Sequence, residues 1–393
     1  MGIVFNQSYK NIIIIAFALL IGGVNTLYFY PVFLKEEYYG LVVFLLATSN
    51  LLQPIISFGS QHTIIKYFSS FNTKKDKDIF MSSIIFVPLF TIIPVTFIVV
   101  EFHDMIADFI SVKNPIIENY VWVIFLVSFA TSYFEVFYSW ARVQLKSVFG
   151  NFLKEIYPRF SVLVLLILVY LDLISKENFI WWLTGLYYLR LLIMIFYSLS
   201  LYLPRFSFSL PKNTISILTY SLYILLAGSA ASILIDIDKF MIPQKQAISQ
   251  TAFYAVAVFI ATVVEIPGRA MFQIINPLVA KALNENNLSE LKKLYSSSSI
   301  NLLIVAGLIF ILINSNIYPF YDLMSEKAYS NGVWVVLMIS ISKLFLMSFG
   351  CGPAILATSK FYRITLPFSI IMAISVYYLN DILIDIYGIN GAA

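Results

Sequence analysis

Charge is scarce in this chain, and so are the residues that build disulfides and metal centres. Only 12% of its 393 residues are charged, against about 25% in a soluble domain. That shortfall excludes an ordinary soluble globular protein. A single cysteine, Cys351, excludes a disulfide framework and a cysteine-based zinc site. Two histidines, His62 and His103, are too few for a histidine-rich metal centre and read as helix-end or loop residues. Gly350-Cys351-Gly352-Pro353 is glycine-rich, but no strand precedes it and no Lys-Ser/Thr follows it. It therefore reads as a helix break and not as a phosphate loop. No metal, cofactor or nucleic-acid partner is expected.

What the chain does have is apolar length. Hydrophobic residues make up 60% of it and the mean hydropathy is +0.87, the signature of an all-α polytopic membrane protein. Lys10 precedes an apolar run of membrane-spanning length with no small-residue cleavage site after it, so the run reads as a first span and not as a signal peptide. Eleven spans are expected, near 11–33, 38–57, 79–100, 119–141, 158–174, 178–203, 215–237, 250–275, 297–318, 332–357 and 363–384. Proline breaks several of them, as at Pro54, Pro88, Pro94, Pro267, Pro277, Pro353 and Pro367.

Lysine and arginine fix an orientation. With the N-terminus cytoplasmic, the inner connections hold 16 basic residues and the outer ones six, with three inside spans. The connections are short, so no soluble domain is expected. The chain stops in small residues after Tyr387-Gly388, which read as the start of a further helix and suggest a fragment lacking at least one span.

The stretch from Ser216 to Gln246 organises the rest. Its small residues, Ala227-Gly228-Ser229-Ala230-Ala231-Ser232, suit close helix packing in lipid. Asp236, Asp238 and Lys239 follow within or at the rim of the same apolar segment. A charge at the bilayer centre costs several kcal/mol, so such residues point to a protein-lined cavity. Asp236-Ile237-Asp238 also spells a metal–sugar-phosphate motif, but it sits in a late span and not in a soluble loop. Lys281–Tyr295 reads as a short amphipathic helix lying on the inner leaflet.

Several segments resemble the oligosaccharide flippase, or polysaccharide biosynthesis and export, family of the MOP transporter superfamily. These are Pro31-Val32-Phe33-Leu34 with Glu37-Tyr38-Tyr39-Gly40; Gly59 through Lys66; and Asp238-Lys239 through Tyr254, Ile266-Pro267, Pro277 and the loop LNENNLSELKKLY. Gly352-Pro353, Ile355-Leu356-Ala357, Lys360-Phe361-Tyr362-Arg363 and the closing Tyr387–Ala393 complete the likeness. No one of them is a strong signature, but their order covers nearly the whole chain. The resemblance implies a MOP/MATE-like two-lobed bundle, with a six-helix lobe over residues 1–210. A second lobe over 211–393 would end after about its fifth helix.

It also implies a non-enzymatic O-antigen-type flippase, a monomer in a bacterial inner membrane, working beside the polysaccharide polymerase machinery. Its cargo would be a polyprenyl-pyrophosphate-linked oligosaccharide. Arginine's planar fork suits phosphate, so the basic residues within spans are the candidate cargo ligands: Arg190, Arg269, Lys343 and Lys239. Arg190 and Lys343 have no acid within a turn, whereas Arg269 faces Glu265 and Lys239 faces Asp236. Glu135, on one helical face with Arg142, and Asp236 and Asp238 are candidates for ion coupling or for salt bridges between lobes. Two other readings stand beside this one: a MATE-like cation-coupled exporter of small molecules, and a polytopic polysaccharide polymerase or glycosyltransferase.

Overall fold

Polar turns set most helix ends in this chain; Pro267 and Pro353 open helices, whereas Pro88 and Pro94, expected to break a span, lie inside one continuous helix. The structure, a computed structural model, describes residues 2–207, 209–324, 326–359 and 364–393. Among them there is no strand. The helices are α1 (Gly2–Val24), α2 (Lys35–Ser57), α3 (Ser60–Tyr67), α4 (Lys74–Glu101), α5 (His103–Ser111), α6 (Val121–Val143), α7 (Ser147–Tyr170) and α8 (Lys176–Leu201). After an extended link come α9 (Thr214–Lys245), α10 (Ser249–Thr262), α11 (Ile266–Asn284), α12 (Leu288–Ser315), α13 (Ile317–Asp322), α14 (Val333–Ser348), α15 (Gly352–Thr358) and α16 (Thr365–Tyr387).

Nine helical segments among the described residues are long and apolar enough to cross a membrane. The first, Lys10–Ser57, has 48 residues, which at about 1.5 Å per residue is twice the depth of a hydrocarbon core. It divides into two passes because the chain reverses at Lys35, whose φ is 63°. Tyr39 then folds back to stack on Tyr30 at 4.5 Å. Counted as two, this segment brings the apolar passes among the described residues to ten, and α7, with charges inside it, lies where the fifth of the eleven expected spans falls.

Three sequence expectations change. The fifth span does not start at 158: α7 begins at Ser147 and carries Lys154, Glu155 and Arg159 within the helix. The segment Lys281–Tyr295 is not one interfacial helix. The chain turns at Asn286 (φ 53°), and Asn287 starts α12 by accepting a hydrogen bond from the Glu290 amide at 3.1 Å. Leu291 and Leu294 pack towards Val279 and Cys351. The small residues of α9 do not mark a tight helix crossing. A Cβ at Gly228 would meet only Pro54, at an ordinary 3.6 Å, and Gly228 and Ser232 border open space instead. The Gly350–Pro353 break is as expected, with the Cys351 amide bound to the Ser298 hydroxyl at 2.9 Å. Lys360-Phe361-Tyr362-Arg363 and the side chain of Pro277 lie outside the described residues.

Burial shows how the two halves of the bundle meet. At the end marked by Lys35, Asn114 and Lys245, one apolar core runs through both halves, from Leu41 and Phe44 to Ile242, Ala252, Tyr329 and Val335. At the end marked by Arg142, the core divides. Ile64, Phe80, Phe134, Trp140 and Met194 form a cluster that Ile217 of α9 joins, while Val264, Leu302 and Met347 form a small one in the second half. The halves thus share one core at one end; towards the other they meet through α3 and α9, where the Thr63 and Ser221 hydroxyls lie 2.8 Å apart. Phe90, Phe97, Phe196 and Phe368 stand exposed on the outside, as lipid-facing residues do.

Candidate functional site

Inside the bundle there is a cavity of about 920 Å³. Its walls are α2, α3, α6, α7, α8 and α9, with Gly22 of α1 and Phe259 of α10 at the margin. The break between α2 and α3 shapes one side. Pro54 leaves the α2 terminus to close on the Phe58 amide at 3.0 Å, and Gly59 follows at φ 68°. A Cβ at Gly59 would stand 2.8 Å from the Ser221 carbonyl on α9, so glycine meets both the left-handed turn and the close approach.

The lining is charged. Arg142, Lys154, Arg159 and Arg190 face Glu135 and Glu155 on the wall built by α6, α7 and α8, while Asp236 lies across on α9. Most of these charges are already paired. Lys154 meets Glu135 at 2.7 Å, Arg159 meets Glu155 at 3.0 Å, and Lys239 meets Asp236 at 2.6 Å. Asn50 adds a hydrogen bond to Asp236 at 3.2 Å. His62 also lines the space. Burial holds its imidazole below its usual pKa; Arg142 and Lys154 act in the same sense and Glu135 opposes them. It is therefore neutral at pH 7, and the cavity's positive charge comes from lysine and arginine.

Arg190 differs from its neighbours. It is only 5% exposed, yet its buried Nε and Nη2 have no hydrogen-bond partner among the described residues. Its guanidinium lies 4.2 Å from the Phe134 ring centre and 4.7 Å from that of Tyr187. Both rings lie within cation–π range of the guanidinium and offset part of its desolvation. A buried cation without a hydrogen-bonding partner is costly unless something occupies it.

The other candidates separate. Lys343 is not unpaired: its ammonium reaches Glu265 of the turn after α10 at 2.8 Å. Arg269 binds the same carboxylate, with Nε at 2.9 Å and Nη2 closer still. Neither residue lines the cavity. Sequence spacing does not reveal this pairing, because Lys343 is 78 positions from Glu265 and only the packing of α14 beside α10 brings them together. Asp238 points away from Asp236. It accepts hydrogen bonds from Tyr254 and Asn380, each at 2.6 Å, and joins α9, α10 and α16 outside the cavity lining.

Lys154 reads as an inner-connection residue in the sequence, and the structure places it with Glu155 and Arg159 in the cavity wall. The signal that points to them is their helical spacing with Pro158 and Val162, which puts all five on one face once α7 is extended back to Ser147.

A helical bundle with nine segments long and apolar enough to cross a membrane among the described residues, built around a charged cavity, defines a multi-pass membrane protein. Its fold is similar to that of two solved helical membrane proteins. Among solved structures the chain is similar to a lipid II flippase MurJ in an inward closed conformation, at a TM-score of 0.73 and 13% identity, over 97% of this chain and 83% of that one. It is also similar to an inward-facing multidrug resistance MATE family transporter of the MOP superfamily, at a TM-score of 0.66 and 14% identity, over 95% and 89%. By sequence, no protein family and no curated protein matches it.

Proposed function

We propose that this protein is a flippase for a polyprenyl-pyrophosphate-linked oligosaccharide, such as an O-antigen, capsule or exopolysaccharide repeat unit. It would act as a monomer in a bacterial inner membrane with its N-terminus in the cytoplasm, and deliver its cargo to the polymerase machinery outside. The observation that carries this reading is Arg190, a buried guanidinium with free donors in the wall of a cavity between lobes. Four cations against two carboxylates on that wall favour an anionic headgroup.

In this orientation the Arg142 end faces the cytoplasm, so the headgroup enters where the repeat unit is assembled. Rocking of lobe 1–210 against lobe 211–393 re-exposes it outside. Asp238 is the candidate coupling group. A carboxylate buried among Tyr254 and Asn380 ties a proton or cation to the relative position of three helices of the second lobe. Arg269 and Lys343 serve the second lobe through Glu265 and do not enter the binding step.

The test is deletion of the gene in its native host, followed by extraction of polyprenyl-linked sugars. Complete repeat units are expected to accumulate on the cytoplasmic leaflet and to clear when the gene is restored. Units that reach the outer leaflet unpolymerised would support a polymerase instead. No accumulation in a host with an active glycan pathway would support a MATE-like exporter.

A further inference from the structure

One helix at the shared-core end belongs neither to the cavity nor to a span. α5 (His103–Ser111) follows α4 after a single residue and is too short to cross a bilayer. Its side chains leave in three directions. Ile106, Ala107 and Ile110 pack into the core that also holds Ile242 of α9. Asp104 and Asp108, one turn apart, are exposed on a second face. Met105, Phe109 and Val112 form a third, 65–72% exposed and entirely apolar, with Phe102 exposed just before them. A helix on a watery surface needs one apolar face, turned to the core. The third face is in excess of that.

The surroundings of α5 say what covers it. α4 presents Phe90, Ile93, Phe97 and Val100 on its outside, so the stripe on α5 continues a surface of lipid-facing character. The His103 ring stacks on Trp122 at 5.7 Å, and Tyr120 meets Trp181 at 6.3 Å. Trp122, Trp181 and Trp182 are themselves exposed near the starts of α6 and α8. Such a belt marks the level of a membrane interface. α5 stands at that level, with its two acids free to face water.

We infer that α5 is an interfacial arm seated on the bilayer, its apolar stripe among the acyl chains, and that it ties this leaflet to the joint between the two halves. The seat is that of an amphipathic helix lying in the interface plane. The tie is made of hydrogen bonds. Gln244 of α9 donates to the Ile110 carbonyl at 3.2 Å. The Asn114 amide donates to the Ser111 carbonyl at 2.8 Å, and the Asn114 side chain holds the α9–α10 corner at Pro243, Gln246 and Ile248. Displacing the arm therefore displaces the groups that hold this corner, so the packing of one leaflet acts on the joint. The inference does not depend on which cargo the cavity takes.

The test uses the full chain in phosphatidylcholine nanodiscs, one copy per disc, on a Cys351→Ser background. A nitroxide on a cysteine replacing Met105 or Phe109 is expected to collide more with oxygen, which enters acyl chains, than with a water-soluble nickel chelate. At positions 104 and 108 the order is expected to reverse. Water-type collisions at 105 and 109 would overturn the seat and leave the face to a partner protein. Shielding from both reagents would overturn it as well, because the chain itself would then cover the stripe.

Phe109→Asp tests the tie, since a charge on the stripe withdraws the arm from the acyl chains. Hydrogen exchange over residues 246–250 is expected to quicken, because the Ile248 amide rests on Asn114. Phe109→Leu keeps the stripe apolar and is expected to exchange as the wild type does. Met105→Asp, on the same stripe, gives the reading by a second route. Wild-type exchange in both Asp variants, with the arm shown by its label to have left the lipid, would overturn the tie. Equal quickening in Phe109→Leu would overturn it too, because loss of the ring and not of the lipid seat would then be the cause.

Discussion

At the scale of single residues, Glu265 is the one whose loss should be felt furthest from the cavity. It neutralises Lys343 and Arg269 together, and its own side chain is 15% exposed while Lys343 is 28% exposed. Removing the shared anion leaves two cations facing each other in the second lobe, whereas removing either cation leaves a matched pair. Glu265→Gln is therefore expected to lower stability by about 1–3 kcal/mol, and Lys343→Met by clearly less; thermal unfolding in nanodiscs checks the order. Arg190 should behave the opposite way. Its Nε and Nη2 donors hold no part of the fold together, so Arg190→Ala should fold normally and yet weaken binding of a soluble prenyl-pyrophosphate monosaccharide, measured by calorimetry, by about 10–100-fold. Arg190→Lys should restore only part of this, since a point charge cannot reproduce the donors of a planar fork. Arg190 was legible in the sequence because an apolar run gives an isolated arginine no local acid to pair with, which leaves a protein-lined cavity as its place. Lys343 looked the same and was not, since the acid that pairs with it comes from another helix.

At the scale of elements, the shared-core end of the bundle is built from a few contacts that the sequence did not signal. Asn114, in the turn before α6, reaches across to the α9–α10 corner. Its amide donates to Pro243 and Gln246 carbonyls at 2.7 and 2.9 Å, and its oxygen accepts from the Ile248 amide at 2.8 Å. Gly40 of α2 lies so close beneath the same corner that a Cβ there would overlap the Ile248 carbonyl. Lys35 and Glu326 close the rim at 2.8 Å. Asn114→Ala removes the latch and Gly40→Ala drives a wedge into it, so both are expected to shift the bundle towards opening at this end. Spin labels placed at positions 35 and 326 should report a longer, broader distance in each variant. Unchanged distances in both would show that these contacts do not govern the gate. The passes themselves were legible, because length and apolar composition suffice to define them. The start of α7 was not, because Lys154 and Glu155, just before the expected span, interrupt its apolar run until the cavity gives their charges somewhere to face.

At the scale of the whole molecule, the proposed function predicts that one side of the membrane has access to the cavity at a time. Ser232 of α9 lines the cavity and suits a chemical test of that access. The chain's one cysteine, Cys351, is buried, so Cys351→Ser gives a silent background on which Ser232→Cys can be read. A membrane-impermeant thiol reagent should label this cysteine in inside-out vesicles about tenfold faster or more than in right-side-out vesicles, a ratio that corresponds to about 1.4 kcal/mol between inward and outward access. Adding Asn114→Ala should raise the rate from the outside while lowering it from the inside, because opening one end of a two-lobed bundle closes the other. If both rates rose together, the latch would be a plug in a pore and not one side of an alternating gate. If the faster labelling came from the outside, the orientation would be reversed, and the headgroup would meet Arg190 from the side where it ought to be released.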